Sequence, residues 1–388
     1  MTSKERMLVA LRNEQPDMVP VAPDISNMIP CRLTGKPFWE IYLQDPLSGE
    51  GGYPLGEAYL EAVKYFGFDA WDQYGRLGPS KEEKREFQRE IIEKDAERIV
   101  TKESFHTPEG TLSQEIVYSI DNSPAPRKML VKDFKKDFPL YLKYWYPAPS
   151  SCDDSKFREW KTKVGDLGIV GLVISFPGFQ DLVWNVDGGD RMSSLEAITY
   201  AYYDYPHFFR EYSLIHENWA VEMTKRILKA GPDYVLIGAS GTMTLQSPKI
   251  FRELGLPTLK RITELCRDAK VPTILHSCGK ERELVTICVE ETDLSCINPL
   301  EVPPMGDCNL KEIKEKYGKK IALMGNLHTT EVMLKGSERD VEEAAKEAID
   351  DAGERGGFLL STGDQCGRDT PDENIFKLVE VARTYGKY

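Results

Sequence analysis

The sequence predicts an α/β fold, a (β/α)8 barrel with a hairpin and helical insertion in its N-terminal half, on three observations. From about residue 168 onward, short runs rich in Val, Ile and Leu alternate with longer amphipathic stretches. Such uniformly apolar runs are strands buried on both faces, which requires a parallel sheet covered by helices. Two further runs nearer the N-terminus bring the strands to the number that a barrel of this kind requires. The competing architecture, an open doubly wound sheet, would carry a glycine-rich phosphate turn, and neither GxGxxG nor a P-loop occurs.

Taken in order, Met18–Val21 and Ala70–Gln73 supply the first two strands. Gly168–Ser175, Tyr234–Gly238, Val271–Leu275, Leu294–Ile297, Lys320–Met324 and Gly357–Ser361 supply the rest. Between them, Tyr212–Lys229, Pro248–Ala269, Leu310–Tyr317 and Asp340–Glu354 have helical periodicity. A barrel takes about 250 residues, and the chain has 388. Residues 1–388 are therefore expected to form one domain, with the surplus at 79–146 as an insertion or cap. Within it Ser80–Lys94 reads as a helix, and Ala96–Glu103 and Thr111–Ile120 as a hairpin about the turn His106–Gly110. The Lys-, Phe- and Tyr-rich Val131–Tyr146 reads equally as a lid over the barrel mouth or as a cap or dimer surface, which leaves a homodimer open.

Composition narrows the function. Apolar residues make up 41% and charged residues 29%, an ordinary globular balance. The net charge of −13 repels phosphate backbones, so nucleic acid is not an expected partner. No run approaches a membrane span, and the charged N-terminus is unlike a secretory signal, so a cytoplasmic protein is expected. The eight cysteines include no CxxC pair and should be thiols in a reducing compartment.

Barrel enzymes place their working residues just beyond the C-terminal ends of the strands. Here those positions hold His276, Ser277, Cys278 and Gly279, then Asn298 and Glu301, then Gly325, Asn326 and His328, then Asp364 and Cys366. One His and two Cys converging on a rim suit Zn²⁺, which takes imidazole and thiolate in a tetrahedral site. His276 and Cys278, two apart at a strand end, can point to one side, and Cys366 can close the site with one position left for substrate. The plainer reading stays open, since buried Cys is common and His often only satisfies a hydrogen bond. Cys266, Cys288 and Cys296 read as core; Cys31, Cys152 and Cys308 read as loop residues to which the sequence alone assigns no partner. Glu301 reads as a further metal ligand, a substrate contact or an exposed loop carboxylate. His106, His207 and His216 read as structural or solvated.

The segments Ile274–Gly279 (ILHSCG), Gly325–Asn326, Gly363–Gly367 (GDQCG) and Thr370–Asn374 (TPDEN) together resemble the uroporphyrinogen decarboxylase superfamily. More narrowly, they resemble its zinc-dependent, corrinoid-linked methyltransferases. The opening Ser3–Arg6 through Val19–Val21 and the hairpin Thr107–Thr111 fit the same family, so the similarity spans nearly the whole chain. A true decarboxylase of the family carries an arginine-rich loop after the first strand to hold an acidic tetrapyrrole. Here that place reads Ala22–Asn27 (APDISN), with no arginine before Arg32. A lyase is therefore the lesser alternative.

The resemblance implies that His276, Cys278 and Cys366 hold Zn²⁺, which would act as a Lewis acid on a methyl-bearing or methyl-accepting heteroatom. It implies that Glu301 and Asn326 take catalytic positions, with Asp24 and Asn27 lining the pocket. The other reactant would be the cobalt of a corrinoid (cobalamin). No D-x-H-x-x-G pattern occurs, so the corrinoid is expected on a separate protein. The length and the insertion resemble enzymes that move a methyl group from an aryl methyl ether or methylamine to cob(I)alamin. Phe38, Trp39, Trp145 and Trp184 would suit a flat aromatic donor, with Trp184 a substrate contact, although aromatics are also ordinary core material. The alternatives are transfer from methylcobalamin to a thiol or tetrahydrofolate, and a barrel that has lost its chemistry.

Overall fold

Apolar runs flanked by helices pair in parallel with one another in chain order, as two-sided burial requires. The structure, a computed structural model, describes residues 1–25, 27–43, 54–78 and 86–388. Its strands are β1 (Ala70–Asp72), β2 (Glu86–Lys94), β3 (Arg98–Thr107), β4 (Gly110–Ser119), β5 (Ala125–Lys128), β6 (Gly168–Ser175), β7 (Tyr234–Gly238), β8 (Thr273–His276), β9 (Cys296–Asn298), β10 (Ala322–Leu327) and β11 (Phe358–Thr362). Strands β1 and β6 to β11 form a seven-stranded sheet, every neighbour parallel.

The first expected strand, Met18–Val21, does not become a ladder strand. Val21 makes an isolated parallel bridge to Leu360. Ala22 N–H donates to the Leu360 carbonyl at 2.9 Å, and Leu360 N–H to that of Pro20 at 2.9 Å. On its other side, the Val21 carbonyl accepts from Asp69 N–H at 2.8 Å, and Val21 N–H donates to the Asp69 carboxylate at 2.9 Å. The segment thus bonds both to β11 and to the residue before β1. Pro20 and Pro23 flank it without N–H groups, so the pairing cannot lengthen into a regular strand.

One face of the sheet packs on itself. Trp71, Ile169, Tyr234, Leu236, Ile274, Cys296, Ala322, Met324 and Leu359, at least one from every strand, form a buried cluster with Ala22. Met7, Ala10 and Leu11 of the helix Ser3–Leu11 join that cluster. The alternate residues face a larger cluster shared with helices that include Pro54–Phe66, Pro206–Ala230, Arg282–Glu291 and Asp372–Thr384. The expected helix Pro248–Ala269 is two, Pro248–Leu254 and Leu256–Asp268. They break at Gly255, where a Cβ would lie 2.7 Å from the Phe176 ring, so close approach to the strand connection sets the break.

Strands β2 to β5 form a separate antiparallel sheet. The β3–β4 hairpin turns between Thr107 and Gly110, within the expected turn. The helix expected over Ser80–Lys94 is corrected: Glu86–Lys94 is strand β2, and residues 80–85 lie outside the described residues. Its Glu, Lys, Arg and Gln favour a helix locally. Antiparallel pairing with β3, from Glu86 opposite His106 to Lys94 opposite Ile99, outweighs that preference.

This small sheet is tied to loops at the C-terminal ends of the parallel strands. Beyond β6, Met129 N–H donates to the Asp187 carboxylate at 2.8 Å, and Val131 and Val186 form a parallel bridge. Beyond β11, Arg368 pairs with Asp121 of the β4–β5 turn. The segment Val131–Tyr146 is largely the helix Phe134–Tyr144. Its Phe134 and Phe138 stack on each other, and both pack on Phe208 and Phe209 of the helix Pro206–Ala230. Among the described residues, no helix is long and apolar enough to cross a membrane.

Candidate metal and substrate site

Two residues beyond the inner cluster, β7 to β11 present their next inward side chains, and Ser175 of β6 joins their row. Ser175, Gly238, His276 and Asn298 stand in register across β6, β7, β8 and β9. Asn326 and Ser361 are opposite one another on β10 and β11. The row is polar or small where the layer below is apolar, and over β6 and β7 the sheet's inner face is open at its C-terminal end. Val173 shows this directly: it is paired with buried Leu236 yet is 41% exposed. Gly238 beside it has no side chain, and a Cβ there would meet Val173 only at 3.8 Å.

His276 lies on this open face. Its Nδ1 is 3.1 Å from the Asn298 carboxamide oxygen, an acceptor that favours the tautomer with hydrogen on Nδ1 and Nε2 available to a metal. That Nε2 faces Asp364, with Oδ1 at 3.6 Å. The ligand atoms of His276, Cys278 and Asp364 all lie within 4.8 Å of one another. Ligand atoms of a tetrahedral zinc site are about 3.5 Å apart. An imidazole nitrogen with a free lone pair, a thiol and a carboxylate at this spacing therefore fit a divalent ion after small side-chain movements. Burial, with Asp364 and Glu301 nearby, pushes the Cys278 thiol up to about 12. A bound cation would reverse that balance and favour thiolate.

The turn after β8 is held from several directions. Gly279 has φ +87°, and a Cβ there would meet the Thr244 hydroxyl at 2.2 Å, so the position requires glycine. Its N–H donates to the Glu301 carboxylate, and Gly241 N–H donates to the Cys278 carbonyl at 3.2 Å. Glu301 is only 3% exposed, so the exposed-loop reading of this residue is corrected. It follows Leu300, whose φ is +61°. Burial raises its pKa above the usual range.

Glu301 is supported in turn by neighbours. Asn326 Nδ2–H donates to the Leu300 carbonyl at 3.3 Å, and Leu300 N–H donates to the Glu281 carboxyl at 2.6 Å. Glu281 is fully buried, and burial holds its carboxyl well above the usual range.

Cys366 stands outside the His276–Cys278–Asp364 group. It is fully buried, and its N–H donates to the Asp24 carbonyl at 2.7 Å. Burial, with Asp24 close by, pushes its thiol up to about 12, and hydrogen bonds with Thr362 and Thr370 oppose that rise. Asp24 N–H donates to the Thr362 hydroxyl at 3.0 Å, and Asn27 accepts from Gln365, so both sit against the turn that carries Asp364 and Cys366. Trp184, beyond β6, is 61% exposed. Phe38 is buried in a cluster with Cys31, Ile41 and Leu55, and Trp145 packs on Phe105 and Tyr141.

The remaining cysteines are buried, Cys31, Cys152 and Cys308 among them. His216 is fully buried between Tyr146, Tyr212 and Trp219. His328 caps the segment Thr329–Leu334 by accepting from two backbone N–H groups. Asp364 and Asn298 occupy strand-end positions, the signal that could have given each its role. Glu281 is in no motif, and only the fold reveals its contact with Leu300.

The profile of the family described as uroporphyrinogen decarboxylase (URO-D) matches residues 186–385, more than half of the chain. A methylcobamide:CoM methyltransferase, MtbA of Methanosarcina acetivorans, is 28% identical over 166 residues, 42% of this chain and 46% of that protein. MtbA of Methanosarcina mazei is 27% identical over 168 residues, again 42% and 46%. The chain thus spans about half the length of the curated relatives it matches. A solved structure, a methyltransferase from Methanosarcina mazei, superposes with a TM-score of 0.65 at 19% identity, covering 99% of both chains. That likeness shows a shared fold.

Proposed function

The chain belongs to the uroporphyrinogen decarboxylase family, and from that premise we propose that it is a corrinoid-linked methyltransferase with a zinc site at the C-terminal end of its parallel sheet. The observation that carries this reading is the convergence of His276, Cys278 and Asp364 where the sheet's inner face opens. The names of the matched relatives support methyl transfer with a methylcobamide, and hence a separate corrinoid protein as partner. His276 and Cys278, with Cys366 brought in by rotation of its side chain, would hold the ion. When bound, Zn²⁺ supplies Lewis acidity to a heteroatom of the small molecule.

The chain's own residues do the rest. Asn298 sets the His276 tautomer, and Glu301 fixes the turn behind Cys278 by accepting from Gly279. Asn326 and Glu281 hold the Leu300–Glu301 bend. Asp24 and Asn27 form one wall, and exposed Val173 beside Gly238 offers an apolar contact for a methyl-bearing group. Strands β2 to β5, tied to the loops after β6 and β11, act as a cap that narrows access. Within this reading the sheet and the Pro20–Ala22 segment serve as a (β/α)8 barrel, and residues 79–146 as its insertion.

For direction, we propose transfer from a methylated small molecule, an aryl methyl ether or methylamine, to cob(I)alamin. The insertion, tied to the loops after β6 and β11, supports this reading as a feature of donor-side enzymes, with exposed Trp184 a candidate contact for a flat donor. The reverse direction, from methylcobalamin to a thiol, is favoured by the activity named for both curated relatives. One cuvette tests the two. Zinc-loaded protein with cob(I)alamin and methoxyaromatic or methylamine donors should form methylcobalamin, seen by its absorbance. If no donor reacts but methylcobalamin is demethylated by a thiol, the direction is reversed. Failure of both, with zinc bound, overturns the methyltransferase reading.

A further inference from the structure

We propose that Asp364 is itself a ligand of the metal that His276 and Cys278 hold, in the position from which an incoming donor can replace it. The inference rests on the metal-centre reading above and goes beyond its His276–Cys278–Cys366 set. Three observations carry it. The Asp364 carboxylate, and not the Cys366 thiol, shares the 4.8 Å neighbourhood with the imidazole and the Cys278 thiol. Its oxygen lies 3.6 Å from His276 Nε2, the ring nitrogen turned away from Asn298.

Second, Asp364 has φ +105°, a conformation that residues with a side chain rarely adopt. The Thr362 hydroxyl donates to the Asp364 carbonyl at 2.8 Å, so the bend is anchored by the end of β11 itself. Strain of this kind persists where the surrounding structure imposes it, and here it turns a carboxylate toward a thiol and an imidazole. Third, the Asp364 side chain is 30% exposed against 17% for His276, so it stands on the solvent side of the group.

The test uses the full chain stripped by a chelator and reloaded with Zn²⁺ or Co²⁺. Zinc affinity is read by competition with a chromophoric chelator, and the ligand set by the visible and near-ultraviolet bands of the cobalt form. Asp364→Ala should weaken zinc binding at least tenfold and shift the visible bands. Asp364→Cys should restore binding and increase the thiolate-to-cobalt charge-transfer absorbance, a gain that only direct ligation gives. It also keeps the test decisive if Asp364→Ala fails to fold. Wild-type affinity and spectrum in Asp364→Ala, or unchanged charge-transfer absorbance in Asp364→Cys, would overturn the inference and leave the metal centre standing. Uptake of neither ion by the wild-type chain would overturn both.

Discussion

The Asn298 carboxamide oxygen accepts from His276 Nδ1 at 3.1 Å, between residues paired in register on β9 and β8. This fixes which ring nitrogen is offered to a metal. The contact depends on parallel pairing, since it places the two side chains side by side on the same inward row.

Removing that acceptor should weaken the metal site without touching a ligand. Asn298→Ala is expected to lower zinc affinity by about 10–100-fold, the usual effect of losing a group that orients a ligating histidine. Chelator competition measures it, and an unchanged affinity would show that the amide does not set the ring.

The opening beside Val173 should govern substrate size. Gly238→Ala adds a Cβ at ordinary contact distance from Val173 and should be nearly silent. Gly238→Leu fills the space and should raise KM at least tenfold, with little change in Tm. Equal KM values for the two variants would remove this opening from the binding site.

Asp72 gives the fold a defined pH dependence. Its carboxyl is fully buried, one oxygen lacks a hydrogen-bond partner, and burial raises its pKa to about 6. The folded state therefore keeps a proton that the unfolded state, near 3.9, has lost. Stability should fall as pH rises from about 4 to about 6, by about 2–3 kcal/mol, and stay reduced above that. Asp72→Asn should remove this slope in urea titrations across that range. A slope equal to wild type would place the titration elsewhere.

Glu281 should matter through the backbone it holds. Glu281→Gln keeps an acceptor for Leu300 N–H and should change stability little. Glu281→Ala leaves that buried N–H unpaired, at a cost of about 1–3 kcal/mol, and should lower kcat by loosening Glu301. Chemical denaturation and initial rates check the two effects, and identical behaviour of both variants would assign Glu281 no such role.

Burial on both faces writes itself into a chain as continuous apolar residues, so the alternation of buried runs and amphipathic helices could be read directly. Strands β6 to β11 therefore fall within a few residues of the expected runs, and His276, Cys278, Asp364 and Cys366 sit at strand ends as read. The family was legible in the same segments. Tertiary structure alone decided the rest. Glu86–Lys94 became a strand because a long partner was available, against its own helical preference. Pro20–Ala22 stayed a bridge because its flanking prolines cannot donate. Cys366 lies buried with its N–H on the Asp24 carbonyl, while Asp364, at φ +105°, stands 3.6 Å from His276. Local spacing carries no record of such side-chain directions, since they are set by contacts between residues far apart in the chain.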